Sequence, residues 1–167
     1  ILFSPRPAEA RNGKTSQVRW GFLIDSTKCE DNCTLCVTAC RKENGWQGSR
    51  RQETLPQWIR IAKIRDPQNG ATLSLPVMCQ HCEFPPCVDV CPTNASTKRA
   101  DGIVLVDKGA CIGCRYCMLA CPYKARSFVY ENVEKPKAYA PRAKGAVEAC
   151  TLCAHRIDEG GIPACVE

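Results

Sequence analysis

No apolar stretch in this 167-residue sequence approaches the ~18 residues that a membrane-spanning helix needs. The densest short runs, such as Gly21-Phe22-Leu23-Ile24, are strand-sized. That excludes a spanning helix in this stretch and leaves attachment to a membrane protein open. Aliphatic residues are scarce too. The 44% hydrophobic share includes fifteen cysteines, and 12 Pro and 11 Gly add loops. So thin an apolar stock needs another source of cohesion, as small-core proteins find in metals or disulfides. No Ser–His–Asp set, phosphate-binding loop or carboxylate pair stands out, so the sequence offers no catalytic residue.

Cysteine is in excess, and it is grouped. The first group, "CEDNCTLCVTAC", holds Cys29, Cys33, Cys36 and Cys40. The second, "CQHCEFPPCVDVCP", holds Cys79, Cys82, Cys87 and Cys91 before Pro92. The third, "CIGCRYCMLACP", holds Cys111, Cys114, Cys117 and Cys121 before Pro122. The fourth is "CTLC", Cys150 and Cys153, with Cys165 further on. A disulfide framework fits poorly, because adjacent thiols would compete within every group. Structural zinc favours two C-x-x-C pairs separated by a longer loop, which is not this pattern. The third group is the C-x₂-C-x₂-C-x₃-C-P run of bacterial ferredoxins, where three cysteines hold one cluster and the fourth reaches a second. One full match and three variants make all fifteen cysteines candidate metal ligands of iron–sulfur clusters, three or four in number.

From about Val18 onward the sequence resembles the four-cluster iron–sulfur electron-transfer subunits of membrane-associated respiratory oxidoreductases. The formate dehydrogenase beta-subunit, polysulfide reductase, tetrathionate reductase and NrfC types belong to that group. The stretches that carry the resemblance are "RWGFLIDSTKC", "LPVMCQHCEFPPCVDVCPT", "DGIVLVDKGACIGCRYCMLACPYKARSF" and "CTLCAHRIDEGGIPACVE". Within the group, "GCRYCMLACPY" with "RSF" and the shifted first motif are most similar to the iron–sulfur subunit of the sulfite-reductase-associated membrane complex.

The resemblance implies a non-catalytic wire of [4Fe–4S] clusters within a hetero-oligomeric complex. Its partners would be a catalytic or cytochrome redox subunit and an integral membrane quinone-reacting subunit. The location implied is peripheral and membrane-associated. The opening "ILFSPRPAEA" contains Ala8-Glu9-Ala10, which is similar to an A-x-A cleavage site. It reads equally as the tail of an export signal, which would make the protein periplasmic or extracytoplasmic, or as an ordinary surface tail.

The resemblance also pairs the second motif with the third and the first with the fourth. Cys79, Cys82, Cys87 and Cys121 would then hold one inner cluster, and Cys111, Cys114, Cys117 and Cys91 its partner. Cys150, Cys153, Cys165 and Cys40 would hold an outer cluster. Cys29, Cys33 and Cys36 would hold the other, as a [3Fe–4S] cluster or a cubane lacking one protein ligand. Two departures matter. Three residues separate Cys29 from Cys33 where the family commonly has two, so the first loop must bulge or take another path. The family's fourth motif continues past "ACVE" to another cysteine, which places a sixteenth ligand beyond Glu167.

The fold class expected is α+β, with two ferredoxin-like halves related by pseudo-twofold symmetry, loop-rich and organised around the clusters. Residues 18–45 and 123–167 would form the outer half and 79–122 the inner half, with a hairpin insertion at 46–78 and an N-terminal tail at 1–17. Arg19–Asp25 reads as a strand and Thr38–Asn44 as a short helix ended by Gly45. Trp58–Ile64 and Thr72–Met78 partly alternate around the turn-rich "RDPQNGA". Gly102–Asp107 is strand-like, while "MLAC" and "LCAHRIDEG" read as short helices.

The net charge of +6 would ordinarily suggest an acidic partner or nucleic acid. A [4Fe–4S] cluster with four thiolates carries about −2, so the excess reads as compensation for buried anionic clusters, with no nucleic-acid partner. Two rival readings stand beside the wire. A self-standing polyferredoxin carrier fits the motifs equally well, and a zinc-stabilised nucleic-acid module would be colourless where an iron–sulfur protein is brown. His81 and His155 read as supporting or packing groups, and Trp20, Trp46 and Trp58 as packing. Lys124, Arg126, Lys135, Lys137, Arg142 and Lys144 read as a solvated basic loop, with docking of an acidic partner as the alternative.

Overall fold

With no long apolar run to extend a sheet, the chain pairs its strands two at a time. The structure, a computed structural model, describes residues 2–3, 8–9, 15–16, 18–46, 54–133 and 136–167. Ala10 of the candidate cleavage site, residues 47–53 of the expected insertion and Lys135 lie outside them. Among the described residues every ladder is two-stranded and antiparallel.

Strand β1 (Leu2–Phe3) pairs with β4 (Phe22–Leu23), and β2 (Ala8–Glu9) pairs with β3 (Thr15–Ser16). The strand expected over Arg19–Asp25 is therefore only two residues long. Its start is diverted, because the Trp20 N–H donates instead to the Asp101 carbonyl (3.4 Å). A 3₁₀ turn at Ser26–Lys28, capped by the Asp25 carboxylate accepting from the Thr27 N–H (3.1 Å), delivers Cys29. Helix α1 (Leu35–Asn44) begins before the expected Thr38 and ends at Gly45, whose φ of 70° is left-handed. The earlier start sets Cys36 and Cys40 one turn apart on the same helical face.

β5 (Ile59–Arg65) and β6 (Thr72–Met78) form the longest ladder, from Ile59 opposite Met78 to Arg65 opposite Thr72. Two units of similar plan follow. In each, a cysteine loop runs into a short helix whose second residue is the third cysteine: Cys87 in α2 (Pro86–Asp89) and Cys117 in α3 (Tyr116–Ala120). The fourth cysteine and a proline come next. A strand then begins at the fifth residue after Cys91 or Cys121, namely β7 (Ser96–Lys98) and β9 (Arg126–Phe128). β7 pairs with β8 (Val104–Val106), and β9 with β10 (Val147–Ala149). Helix α4 (Ala154–Asp158) follows Cys153.

The core is divided into small clusters. Trp46 and Trp58 meet edge to face, centroids 5.0 Å apart, over Ile59, Met78, Cys40 and Cys150. A second cluster joins Cys87 and Cys117 to Val104 and Val147, and a third joins Ile103, Leu152 and Ile157, with Trp20 packed against it. Cysteines belong to two of these three clusters, so the motifs pack against their own side chains. Gly113 in "CIGC" shows how tightly: its φ is 71°, and a Cβ there would collide with the Gly145 carbonyl.

Two of the six basic residues read as a solvated loop are buried instead. Arg126 is 5% exposed. The Arg142 side chain is 3% exposed and bonds the fully buried Glu148 through Nε (2.9 Å) and Nη2 (2.9 Å). Their partners, a thiol, a hydroxyl and a carboxylate, satisfy them without water, whereas Lys124, Lys137 and Lys144 are exposed. Among the described residues no helix is long and apolar enough to cross a membrane.

Candidate metal centres

One backbone device recurs in all four cysteine loops. The residue just before the second cysteine has a positive φ: Asn32 (66°), His81 (43°), Gly113 (71°) and Leu152 (55°). A left-handed residue within a tight turn directs successive N–H groups to one side, which is a concavity suited to an anion. The additional residue of the first loop is absorbed upstream of that position. It lies in a turn closed by the Cys33 N–H on the Glu30 carbonyl (3.1 Å).

Three cavities are each walled by four cysteines. Cys79, Cys82, Cys87 and Cys121 line one. Cys91, Cys111, Cys114 and Cys117 line another. Cys40, Cys150, Cys153 and Cys165 line a third. Each cavity takes three cysteines from one motif and one from another. Cys29 and Cys33 stand within electrostatic reach of Cys36, which packs beside Cys40 and Cys165. All fifteen thiols are free of disulfides.

The donor chemistry fits iron–sulfur ligation. Backbone N–H groups point at sulfur: Ser96 to Cys91 (3.4 Å), Ala125 to Cys121 (3.5 Å), Val147 to Cys111 (3.4 Å) and Leu152 to Cys150 (3.4 Å). Asn44 Nδ2 adds a side-chain donor to Cys40 Sγ at 3.5 Å, and Arg126 Nη2 one to Cys87 Sγ at 3.0 Å. Such donors stabilise thiolate over thiol and tune a bound cluster. Burial works the other way. It pushes Cys79 and Cys165 up to about 11, and Cys40 and Cys150 higher still. Those thiols would ionise only against a cationic metal core. Cys91 departs from them: burial raises its pKa, but the Ser96 N–H and Thr93 hydroxyl outweigh that and leave it below the usual thiol value. Among the described residues no three His, Cys, Asp or Glu side chains close on a single-ion position. Three sulfurs of one motif and a fourth from another around a common space suit the corners of a polynuclear core.

The histidines support the loops. His81 Nδ1 accepts from the Val104 N–H (2.9 Å), and burial holds its pKa at about 4, so the ring is neutral near pH 7. His155 stacks on Tyr139 at 4.1 Å and places Nε2 2.8 Å from Glu43 Oε1. Arg156 bonds the same carboxylate twice, through Nε (2.8 Å) and Nη2 (2.7 Å), tying α4 to α1. Chiefly through Arg156, the Glu43 pKa is held at about 2. A carboxyl depressed in the folded state stabilises fully above its unfolded value and loses that contribution as pH falls towards its folded one. Glu43→Gln should therefore cost about 1.5 kcal/mol at pH 7, with the gap to wild type narrowing below about pH 4.5. Denaturant midpoints read from visible bleaching at pH 7 and pH 4 measure this, and a gap that does not narrow would refute it.

Sequence reasoning placed Arg126 in a solvated loop and gave no site role to Asn44 or Glu43. Arg126 left one signal: it stands at the fifth position after Cys121, the place Ser96 holds after Cys91. The other two are ordinary polar residues of a helix until α1 is placed beside the fourth motif.

Residues 70–167 match the family model described as a 4Fe-4S dicluster domain. The chain is similar to the Hdr-like menaquinol oxidoreductase iron-sulfur subunit 1 of Archaeoglobus fulgidus, 43% identical over 192 aligned residues that cover 99% of this chain and 70% of the relative. A tetrathionate reductase subunit of Salmonella typhimurium is 37% identical over 165 residues, covering 99% and 58%. An anaerobic dimethyl sulfoxide reductase chain of Escherichia coli is 36% identical over 161 residues, covering 89% and 68%. The chain spans 58% to 70% of the length of these relatives. Their names and the matched model agree with the donor chemistry: this is an iron–sulfur protein of the 4Fe-4S dicluster domain family, carrying [4Fe–4S] clusters.

Proposed function

We propose that the chain is an electron-transfer subunit, passing electrons through about four iron–sulfur clusters between a redox partner and a quinone-reacting membrane subunit. The observation that carries this is the set of three cavities, each walled by three cysteines of one motif and a fourth from another. The ligand sets are Cys79, Cys82, Cys87 and Cys121; Cys91, Cys111, Cys114 and Cys117; and Cys40, Cys150, Cys153 and Cys165. Cys29, Cys33 and Cys36 hold a further cluster at the first motif.

The two inner sets make up the ferredoxin-like half at 79–122, and the other two belong to a half built from 18–45 and 123–167, with 46–78 inserted as a hairpin. The repeated spacing of helix, cysteine and strand after the second and third motifs supports a duplicated plan within the inner half, and pseudo-twofold symmetry between the two halves extends that plan to the first and fourth motifs.

The relatives named for menaquinol, tetrathionate and dimethyl sulfoxide oxidoreductases support a peripheral place in a membrane-associated, hetero-oligomeric complex. The protein there contributes no bond-making of its own. An extracytoplasmic side and a place in a sulfite-reductase-associated complex are the finer reading, resting on "ILFSPRPAEA" and on "GCRYCMLACPY" with "RSF". Exposed apolar side chains next to the cysteine loops, Leu35, Phe84, Ile112 and Ile162 among them, suit docking of redox partners close to the clusters.

Metal analysis of the purified brown protein tests the reading. About four clusters predict near sixteen iron atoms per chain if all are cubanes, fewer with a [3Fe–4S] centre, with matching acid-labile sulfide. Stoichiometric zinc with negligible iron would end it.

A further inference from the structure

We infer that Arg126 is the positioning residue that sets the potentials of the two inner clusters, raising both by a fixed positive charge held between them. The inference rests on the ligand sets proposed above. Arg126 opens β9, is 5% exposed, and has both ends of its guanidinium committed. Nη1 donates to Ser96 Oγ at 2.7 Å, and Nη2 donates to Cys87 Sγ at 3.0 Å. Cys87 lines one inner cavity, and Cys117, a second thiol that the guanidinium hydrogen-bonds, lines the other. Among the described residues no carboxylate bonds or pairs with it, and the anions that act on it most are the thiols of Cys87, Cys117 and Cys79. Arg142, by contrast, has Glu148 as a dedicated counter-ion.

A buried arginine stays charged, and without a counter-ion it is costly to keep. Thiolate-ligated clusters supply the missing negative charge on both sides. One-electron reduction of a [4Fe–4S] cluster, the electron coming from the redox partner, adds one further negative charge with no proton required. The guanidinium is therefore better matched to the reduced state than to the oxidised one, and it favours uptake of the electron. Hydrogen bonds to the Cys87 and Cys117 sulfurs add to this, because a donor to a ligand sulfur stabilises the more electron-rich cluster. The effect should be larger for the set containing Cys87 than for the set containing Cys117, because Arg126 itself lines the former cavity and has Cys79 as well as Cys87 within reach. Ser96, the first residue of β7, fixes the guanidinium from the side opposite Cys87 and so sets its distance from both.

The test is an EPR-monitored redox titration of the full chain, with dithionite as reductant and each signal assigned through Cys82→Ser and Cys114→Ser variants. Arg126→Met should lower the reduced-to-oxidised ratio of the Cys87-containing cluster at least tenfold at a given potential, a downward shift of about 59 mV or more for one electron. The Cys117-containing cluster should shift the same way by less. Arg126→Lys keeps the charge but loses the fork. It should restore part of both potentials and leave the Cys87 set the more lowered. Lys137→Met, which removes an exposed charge elsewhere, should move neither.

Potentials unchanged or raised in Arg126→Met would overturn the inference. If that variant fails to retain clusters, Arg126→Lys decides alone. A drop in Arg126→Lys that is larger in the Cys87 set supports the role, and wild-type potentials in both sets refute it. Failure of the ligand reading would appear separately, as missing iron or missing signals in the wild-type chain.

Discussion

Replacing Cys121 by serine should disturb the cluster of the Cys79, Cys82 and Cys87 loop, although Cys121 belongs to the next motif along the chain. The cluster of its own loop should keep its EPR signal. Cys121 closes α3 with φ −76° and ψ 112°, an extended conformation that ends the helix and points the residue out of the turn containing Cys117. Its thiol lines the cavity of the second motif, and the Ala125 N–H donates to its sulfur from behind. Serine offers a harder, more weakly held oxygen, so about one iron of the four at that site should be lost, or the whole cluster. Cys91→Ser should do the converse, altering the cluster of Cys111, Cys114 and Cys117. Iron content with EPR of each variant measures both. A Cys121→Ser protein whose only altered signal is that of the Cys114 loop would refute the crossed arrangement.

Removing Glu148 should cost about 3–5 kcal/mol, because it strands the buried Arg142 guanidinium without its counter-ion. The Glu148 side chain is 0% exposed, and its carboxylate also accepts from Trp58 Nε1 at 3.2 Å. It thus fastens β10 to the start of the long hairpin through a residue only two positions before Cys150. Glu148→Ala should lower the denaturant midpoint sharply and loosen the cavity that Cys150 lines. Glu148→Leu combined with Arg142→Met removes both charges together and should recover most of the loss, as paired replacement of buried ions often does. A double-mutant cycle on these two positions reads the coupling directly. A Glu148→Ala cost below about 1 kcal/mol would mean that water reaches Arg142.

What the sequence made legible was whatever depended on local spacing. The C-x-x-C runs announced iron–sulfur clusters because three sulfurs within one short loop have few other uses. The alternating runs Trp58–Ile64 and Thr72–Met78 match the paired strands Ile59–Arg65 and Thr72–Met78 to within one residue, since a period of two is visible without any partner. What stayed hidden depended on partners distant in sequence. Arg126 and Arg142 look like their neighbours Lys124 and Lys144, because burial is decided by Ser96, Cys87 and Glu148 rather than by adjacent residues. The strand at Phe22–Leu23 is short for the same reason. Its only ladder partner among the described residues is Leu2–Phe3, and Trp20 is already committed to Asp101. Helix α1 was placed too late because Leu35, 77% exposed, adds nothing to an apolar pattern, although it begins the turn that carries Cys36.

The crossed walls of the cavities also impose a calendar on biosynthesis. Both inner cavities draw only on cysteines between Cys79 and Cys121, so a growing polypeptide holds all of their sulfurs once Cys121 has emerged from the ribosome. The cavity of Cys40 is different. Its remaining sulfurs are Cys150, Cys153 and Cys165, so the early thiol must wait, reduced and unclaimed, while more than a hundred further residues are added. On the proposed ligand sets, metal delivery to the two cavities walled by Cys79 to Cys121 can begin well before Cys165 is made, and Cys40 is the sulfur among these twelve that the cell must shield from oxidants longest.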